Sequence, residues 1–448
     1  MEMITPNHSD YDGARSVFNA MIDRRPAVIA RCATAADVAG ALDHSRRHGY
    51  DVAVRAGGHS VAGMSMNDGG LVVDVRPMKD ICIDPRTRSA RVGAGVTWGE
   101  LDRATQQHGL ATTGGRASTT GVAGLTLGGG SGWLERRFGL ACDNLRSVRL
   151  VTADGRQITA SATENPDLFW ALHGGGGNFG VATTFEFELH PVRPRVLAGL
   201  LLWPGDAAWD VVRAYRDLAY TAPDELGSAL LFITGPAQEV VPTVLHGKTV
   251  VAVAVLWSGD IADGEAVIRP LRDLGPAADL VAPMAYADFQ CAHDDPAGLR
   301  NYWTADYHDE FPDLALEVFV QYGFERCSAH SQLVLLPWGG AVARVPGDAT
   351  PLGKRSARWV THPFALWDDA RDSDRNVAWA RGFRADIAQY ANGATYLNFI
   401  GNEGEDRIRA AFGEERYRRL AAVKAAWDPD NVFRGNHNIR PATALLAS

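Results

Sequence analysis

The hydrophobic and polar positions in the first part of the chain follow the periods of amphipathic helices and short strands. Helical spacing or a helix-capping sequence predicts helices over residues 35–49, Thr97–Gly109 and Pro166–Leu172. Short apolar or alternating runs predict strands over residues 51–55, Leu71–Val75, 89–96, 146–161 (two strands around a turn at Ala153-Asp154-Gly155) and Gly180–Leu189. Pro191 and Pro194 follow the last strand, and we place a domain boundary at residue 194.

The pattern changes beyond residue 194. Glycine becomes rarer, and apolar runs of strand length occur at Leu200–Trp203, Thr249–Leu256 and Ser331–Leu336, with a helical pattern over 264–273 between them. Residues 195–390 are therefore predicted to form an α+β domain, in which helices cover an antiparallel sheet. The last part of the chain is predicted to contain a strand, a helix and an irregular tail, over Tyr396–Ile400, Glu414–Ala426 and Asp428–Pro441.

Composition and charge exclude several classes of protein. The chain has 448 residues, of which 46% are hydrophobic and 22% charged, as in globular proteins of more than one domain. Its formal net charge is −9 and its Lys and Arg residues are dispersed, which argues against nucleic acid as a partner. We find no apolar run of about 18 residues and no apolar signal core at the start, so neither a membrane partner nor export is expected.

The cysteines argue against a metal site. They are five in number and scattered, without CxxC spacing, at Cys32, Cys82, Cys142, Cys291 and Cys327. Cys327 and His330 have no second ligand pair beside them, and His293-Asp294-Asp295 is more typical of a solvated turn. We therefore expect no metal and a reducing, cytoplasmic setting.

Glycine carries the main chemical signal. Many of the 47 glycines fall in three clusters, AGGHSVAGMS (56–65), TGGRASTTGVAGLTLGGGSG (113–132) and HGGGGNFG (173–180). Tight turns leave backbone N–H groups free, and such groups bind anionic oxygens, above all those of a pyrophosphate. The alternative is that the clusters are ordinary turns between strands. The sequences of a P-loop and of a Rossmann dinucleotide site are both missing.

Five motifs together resemble a known family. They are Arg55-Ala-Gly-Gly-His-Ser60, the segment Gly114–Gly132, Phe138-Gly-Leu-Ala-Cys-Asp-Asn144, Phe169–Gly180, and a tail with Tyr396-Leu-Asn398-Phe, Asp428-Pro-Asp-Asn-Val-Phe433 and Asn436-His-Asn438-Ile. This set, over residues 26–193 and 391–441, is similar to the berberine bridge enzyme-like FAD-linked oxidases of the vanillyl-alcohol oxidase fold class. The pattern is most similar to bacterial members of the 6-hydroxynicotine oxidase type.

The resemblance implies a fold with three parts. Residues 26–194 would form a PCMH-type FAD-binding domain, residues 195–390 a substrate-binding domain, and residues 391–448 a segment that returns to the first domain. Together these parts give an α+β protein with a two-part FAD-binding domain of the vanillyl-alcohol oxidase type.

The resemblance also implies how FAD is held. The His59 ring would bond covalently to the 8α-methyl of the flavin, and the residues that would line the pyrophosphate are Arg55, Gly57, Gly58, Ser60 and Gly63. Further cofactor contacts would come from Gly115, Thr119, Thr120, Gly121, Gly124 and, near the adenine, Val181. Many relatives add a cysteinyl link, but Ala117 occupies that position here, so we expect one covalent link only.

The tail supplies the remaining candidates. Asn436 and Asn438 would reach the polar edge of the flavin, or alternatively cap local turns. Tyr396 and Asn398 alternate along the predicted strand and so would face the same side, near the flavin ring. Tyr396 is the candidate catalytic base, although a strand tyrosine is often packed in the core. In the middle domain Tyr302, Trp303, Tyr307 and His308 would line a pocket or belong to the core.

These features predict an FAD-linked oxidase. It would remove a hydride from a C–H next to O or N in a small organic substrate, transfer it to flavin N5 and pass the electrons to O2, giving H2O2. The alternatives are a dehydrogenase with a non-oxygen acceptor and a flavin-binding protein without turnover. The sequence predicts neither the substrate nor the oligomeric state.

Overall fold

The computed structural model describes residues 1–292, 294 and 296–442. The predicted residues His293 and Asp295, and residues 443–448 of the last predicted segment, lie outside this part. The α-helices are α1 (Tyr11–Arg15), α2 (Ala35–His48), α3 (Trp98–Gln106), α4 (Val122–Leu127), α5 (Glu135–Phe138), α6 (Pro166–Ala171), α7 (Ala208–Thr221), α8 (Ile261–Arg272), α9 (Tyr286–Cys291), α10 (Asp313–Phe324), α11 (Ala341–Arg344), α12 (Ser373–Ile387), α13 (Glu405–Phe412) and α14 (Glu414–Trp427).

The strands within residues 1–292 and 296–442 form four sheets. They are β1 (Glu2–Ile4), β2 (Val28–Arg31), β3 (Val52–Arg55), β4 (Leu71–Asp74), β5 (Ile81–Asp84), β6 (Ser89–Gly93), β7 (Leu110–Ala111), β8 (Leu145–Val151), β9 (Gln157–Ser161), β10 (Val181–Glu188), β11 (His190–Pro191), β12 (Arg195–Pro204), β13 (Leu226–Thr234), β14 (Thr249–Trp257), β15 (Ala278–Asp279), β16 (Ala282–Ala285), β17 (Arg300–Trp303), β18 (Asp306–His308), β19 (Gln332–Pro337) and β20 (Trp359–Trp367). The predicted α+β class is confirmed, and the predicted boundary at residue 194 falls between β11 and β12.

Capping residues set both ends of α2 and the start of α3, and of these the sequence predicts the end of α2 at Gly49 and the cap at Thr97 and Glu100. The Asp37 backbone N–H donates to Oγ1 of Thr34 at 3.1 Å, and the Thr34 backbone N–H donates back to the Asp37 carboxylate at 3.0 Å. Gly49 ends α2 in the left-handed region, at φ 67°. At the start of α3, the Thr97 backbone N–H donates to the Glu100 carboxylate at 2.7 Å.

Two sheets precede residue 190. The first has the order β1-β2-β4-β3, and its strands β2, β4 and β3 are parallel, so the chain leaves the carboxyl end of β3 directly into the glycine-rich loop at 56–60. The second is antiparallel, in the order β5-β6-β10-β8-β9, with β10 at its centre. The two strands predicted within residues 146–161 are β8 and β9 of this sheet.

The third large sheet has nine antiparallel strands, and its two faces differ. Along β13, β19 and β20, every second residue packs against the helices α7, α10 and α12, for example Leu230, Leu333, Leu335 and Trp359. The residues between them face the first two sheets, and they include Ala229, Val334 and Val360. This face forms one wall of a cavity between the sheets.

One predicted strand is wrong. Residues Tyr396–Ile400 have the alternation of a strand, but Leu397–Phe399 form a turn of 3₁₀-helix. The Phe399 N–H donates to the Tyr396 carbonyl at 3.0 Å, inside the segment rather than to a neighbouring strand. The alternation comes instead from side chains that pack against different neighbours around the turn.

None of the helices described here, within residues 1–292 and 296–442, is both long and apolar enough to cross a membrane.

A buried ion pair fixes the irregular tail. Lys424 in α14 and Asp428 just after it lie 2.6 Å apart, and both are fully buried. Lys424 Nζ also donates to the carbonyls of Asn178 (2.7 Å) and Phe433 (3.0 Å). The Asp428 carboxylate accepts from the N–H groups of Val432 and Phe433. The motif that begins Asp428-Pro thus holds the tail against the third glycine cluster.

We expect Lys424→Met to lower the free energy of unfolding by about 3–5 kcal/mol, because the Asp428 carboxylate would stay buried without its cation. The control Lys79→Met should cost about 1 kcal/mol or less, because the Lys79–Glu100 pair has a similar separation of 2.7 Å but is exposed to solvent. Urea unfolding of both variants, followed by tryptophan fluorescence, measures the difference. Equal losses would contradict the structural role of the buried pair.

Candidate active site

A cavity of about 420 Å³ lies between the nine-stranded sheet and the two sheets before it. One side is formed by the three glycine clusters and by the tail around Asn436. The other side is formed by side chains of β13, β17, β19 and β20. The cavity therefore joins the glycine-rich part of the chain to the middle domain.

His59 lies on the wall between these two sides. Its ring stacks on Phe18, with the ring centroids 4.4 Å apart and the planes 17° apart. Nε2 lies 3.0 Å from Oγ1 of Thr119, and Nδ1 lies 3.4 Å from Oγ1 of Thr120. Burial among protein atoms lowers the pKa of His59 to about 4, and the Asp294 carboxylate opposes this shift only in part. The imidazole is therefore neutral at neutral pH.

Arg55 acts differently from the prediction. Its guanidinium does not line the cavity but donates to the carbonyls of Ala14 and Ser16. Burial and, to a smaller extent, the nearby charge of Arg76 together lower its pKa to about 10. The Phe18 N–H, two residues beyond Ser16, donates to the Gly58 carbonyl at 3.1 Å. Arg55 thus ties down the segment that places Phe18 on His59.

The first two glycine clusters touch backbone to backbone. A Cβ on Gly57 would lie 2.3 Å from the backbone N of Gly121, and a Cβ on Gly121 would lie 2.4 Å from the backbone N of Gly57. The second loop is held in turn by α3, because the Trp98 N–H donates to the Thr120 carbonyl at 2.9 Å. This contact needs glycine on both sides, and it brings Thr120 next to His59.

The third cluster and the tail complete this side. Asn178 Nδ2 donates to the Gly175 carbonyl at 2.8 Å, and Asn436 Nδ2 donates to the Gly177 carbonyl at 3.2 Å. Oδ1 of Asn436 is buried without a hydrogen-bond partner in the described part of the chain. Asn436 lies on the cavity wall, so this acceptor is available to a ligand.

Tyr396 lies behind the wall rather than on it. Its hydroxyl oxygen accepts from the N–H groups of Gly130 (2.6 Å) and Ser131 (3.0 Å) and from Asn398 Nδ2 (3.0 Å). Burial raises the pKa of Tyr396. The predicted base is thus a protonated phenol that fixes the 130–131 turn, whereas Asn398 does line the cavity.

The cavity wall includes nine of the sixteen predicted residues, namely Gly57, Gly58, His59, Ser60, Thr120, Gly121, Gly124, Asn398 and Asn436. Seven do not line it, and these are Arg55, Gly63, Gly115, Thr119, Val181, Tyr396 and Asn438. Gly63 packs on Ile22, at φ +70°. The Gly115 carbonyl accepts from Gln290 Nε2 at 3.0 Å.

Strand alternation accounts for Val181. Because neighbouring residues of a strand point to opposite faces, Gly180 and Ala182 lie on the wall, while Val181 is buried in the core. Thr119 contacts His59 from outside the cavity. Of the four aromatic candidates of the middle domain, only Trp303 lines the cavity, and Tyr302, Tyr307 and His308 do not.

The sequence reasoning missed several residues of the wall. Phe18, Arg116, Gln332, His362 and Phe364 all line the cavity. The alternation of β19 and β20 shows which residues share a face, but not that this face covers the glycine clusters. Ala117, where relatives would have the cysteine, also lines the cavity.

Two families of known proteins match the glycine-rich part of the chain and its tail. The family described as "FAD binding domain" matches residues 26–161, and the family "Berberine and berberine like" matches residues 395–440. The (R)-6-hydroxynicotine oxidase of Paenarthrobacter nicotinovorans is 32% identical over 98% of this chain and 96% of its own length. An FAD-dependent monooxygenase of Fusarium proliferatum is 38% identical over 93% of this chain and 85% of its own. The crystal structure of 6-hydroxy-D-nicotine oxidase from Arthrobacter nicotinovorans has a TM-score of 0.86 at 29% identity, covering 98% of this chain and 97% of that one.

We expect Gly57→Ala to abolish retention of FAD, because the new methyl group would force the two glycine loops apart. The control Gly13→Ala adds the same methyl group in α1, where nothing lies within 4 Å, and should retain the cofactor. The visible flavin absorbance per protein after purification measures the effect. A Gly57→Ala protein with a full flavin content would contradict the tight contact.

Proposed function

Because this chain belongs to the berberine bridge enzyme-like FAD-linked oxidoreductases, we propose that it is an oxidase for a small organic molecule. Bound FAD supplies the chemistry, accepting at N5 the hydride from a C–H next to O or N, with O2 as the final acceptor and H2O2 as product. The observation that carries the proposal is the cavity that joins His59 and the glycine clusters to the middle domain.

The residues of the wall fit FAD. Among the residues that the structure describes, no Asp or Glu lines the cavity, so a diphosphate would meet no like charge there. Gly124 and Gly177 lie on the wall, and a Cβ at either would meet nothing within 4 Å, which leaves room for a cofactor at the backbone. The unpaired Oδ1 of Asn436 would accept from an N–H of the cofactor.

We further propose one covalent bond, between a ring nitrogen of His59 and the 8α-methyl carbon of FAD. It would replace the imidazole N–H and one methyl C–H, and the two electrons and two hydrogens released would reduce the flavin, which O2 would reoxidise. A neutral imidazole has a free lone pair and is a good nucleophile, and the low pKa of His59 keeps the ring neutral. Phe18 and the hydroxyls of Thr119 and Thr120 would hold the ring in one orientation. Ala117 offers no sulfur for a second link. The thiol of Cys142 lies off the wall, and burial raises its pKa well above the ordinary value.

The middle domain would bind the substrate. Trp303 and Phe364 stack on each other at 4.0 Å and give the cavity an aromatic side. Val334 and Leu336 of β19 lie beside them and keep water away from the reacting bond. Phe18 contacts both Trp303 (5.8 Å) and His59, so one aromatic side chain connects the two sides.

We expect His59→Ala to yield a protein whose flavin stays in solution after acid precipitation, because no covalent bond forms. The wild-type precipitate should be yellow and its intact mass greater than that of the polypeptide by one FAD. His437→Asn is the matched control, because His437 also lines the cavity but contacts Leu397, at 3.1 Å, and not a threonine pair. Its precipitate should stay yellow, and a colourless wild-type precipitate would overturn the covalent link.

The acceptor is tested by the yield of peroxide. An oxidase forms about one H2O2 per substrate oxidised under air, with an equal uptake of O2. A dehydrogenase would turn over with a quinone or dye and give little peroxide. A protein that only holds flavin would show no bleaching with any substrate. Measuring O2 uptake, peroxide and dye reduction in parallel separates these outcomes.

A further inference from the structure

His362 has a buried ring whose orientation and tautomer are fixed. It lies in β20 on the face that lines the cavity and is 3% exposed. Nδ1 lies 2.8 Å from the Thr304 carbonyl oxygen, and because a carbonyl only accepts, Nδ1 carries the proton and donates it. The ring also stacks on Phe399, at 4.5 Å and 8°. Nε2 therefore carries the free lone pair.

This lone pair has no partner in the described part of the chain. Burial lowers the pKa of His362 to about 4, so the ring is neutral and Nε2 is an acceptor at neutral pH. Most buried polar atoms in proteins have a hydrogen-bond partner. His308, which is equally buried, shows the usual situation, since its Nδ1 lies 3.0 Å from the Tyr390 carbonyl and its Nε2 lies 2.8 Å from Oγ1 of Thr361.

The charges on the wall restrict what could approach Nε2. Arg116 is the only Lys or Arg that lines the cavity within the described residues, and no carboxylate does. The Arg116 guanidinium forms an ion pair with Glu135, whose Oε1 lies 2.7 Å from Nη2 of Arg116. Nε of Arg116 has no hydrogen-bond partner in the described part of the chain. An ammonium group would thus be buried without an anion and close to a cation, which is unfavourable. A hydroxyl group has no such cost and can donate to Nε2.

We infer that the substrate is an uncharged aromatic alcohol, and that Nε2 of His362 accepts the proton from the hydroxyl group of the carbon that is oxidised. The inference rests on the FAD-dependent oxidation proposed above. The O–H bond breaks and its proton bonds to Nε2, while the C–H hydrogen leaves with two electrons to FAD, so that the alcohol becomes an aldehyde or ketone. The ring centroids of Trp303 and Phe364 lie 5.6 and 5.0 Å from that of the His362 imidazole. These two side chains would hold the aromatic ring of the substrate beside His362.

Two substitutions separate proton acceptance from hydrogen bonding. His362→Asn keeps a donor for Thr304 and removes the acceptor at Nε2. His362→Gln offers an amide oxygen that can accept a hydrogen bond but not a proton. His308→Asn is the control, because it changes an equally buried histidine that lies off the wall.

The probes are benzyl and 2-naphthylmethyl alcohols and the corresponding amines, mixed without oxygen with FAD-loaded protein. We expect the alcohols to bleach the flavin at least tenfold faster than the amines. His362→Gln should bind the alcohols within a few-fold of wild type and reduce the flavin about 10²-fold more slowly or worse. His362→Asn should lose both binding and rate, and His308→Asn should lose thermal stability but keep the preference for alcohols.

Several results would overturn the inference. These are faster bleaching by the amines, no bleaching by any alcohol, or an unchanged reduction rate in a folded, FAD-loaded His362→Gln. If both His362 variants lose FAD, the preference of the wild type for alcohol or amine decides. A wild-type protein that contains no FAD would instead overturn the proposed function, and the flavin content is measured first.

Discussion

The backbone contact between Gly57 and Gly121 sets the geometry of the side of the cavity that the glycine clusters form. It holds together the loop that follows β3 and the loop that precedes α4, and neither loop can move away without opening the wall. His59 lies two residues beyond Gly57 and Thr120 one residue before Gly121, so the contact also determines which hydroxyl groups meet the imidazole. A side chain at either glycine would change all of these distances together.

Local signals made much of this side predictable from the sequence. The cap at Thr97 and Glu100 depends on residues three apart, and the structure has it where expected. The clustering of glycine likewise indicated a place where backbone approaches backbone or ligand, and Gly57, Gly58 and Ser60 do lie on the wall. The turns that expose these residues are formed by neighbours in the chain, so no knowledge of distant contacts was needed.

The residues whose contacts differ from the prediction depend on distant partners. Arg55 belongs to the expected motif, but carbonyls of the first helix and the residue after it attract its guanidinium. Tyr396 was expected on a strand, but the N–H groups of Gly130 and Ser131, far away in the chain, fix its hydroxyl. No pattern in the sequence distinguishes His362, because its place on the cavity wall depends on which face of β20 covers the cavity. Such contacts follow from tertiary packing, and no period in the sequence reports them.

The polar atoms left unpaired on the wall connect the two sides of the site. An unpaired buried donor or acceptor costs about 1–3 kcal/mol, and such atoms occur at Asn436 and Arg116 on the side of the glycine clusters and at His362 on the side of the nine-stranded sheet. Folding alone gives no reason to keep them, whereas a ligand that supplies partners removes the cost. Because Phe18 packs on both His59 and Trp303, a change that loosens His59 would also shift the aromatic side where His362 lies. The proposed cofactor attachment and the proposed substrate position would thus be properties of one packed unit rather than of two independent sites.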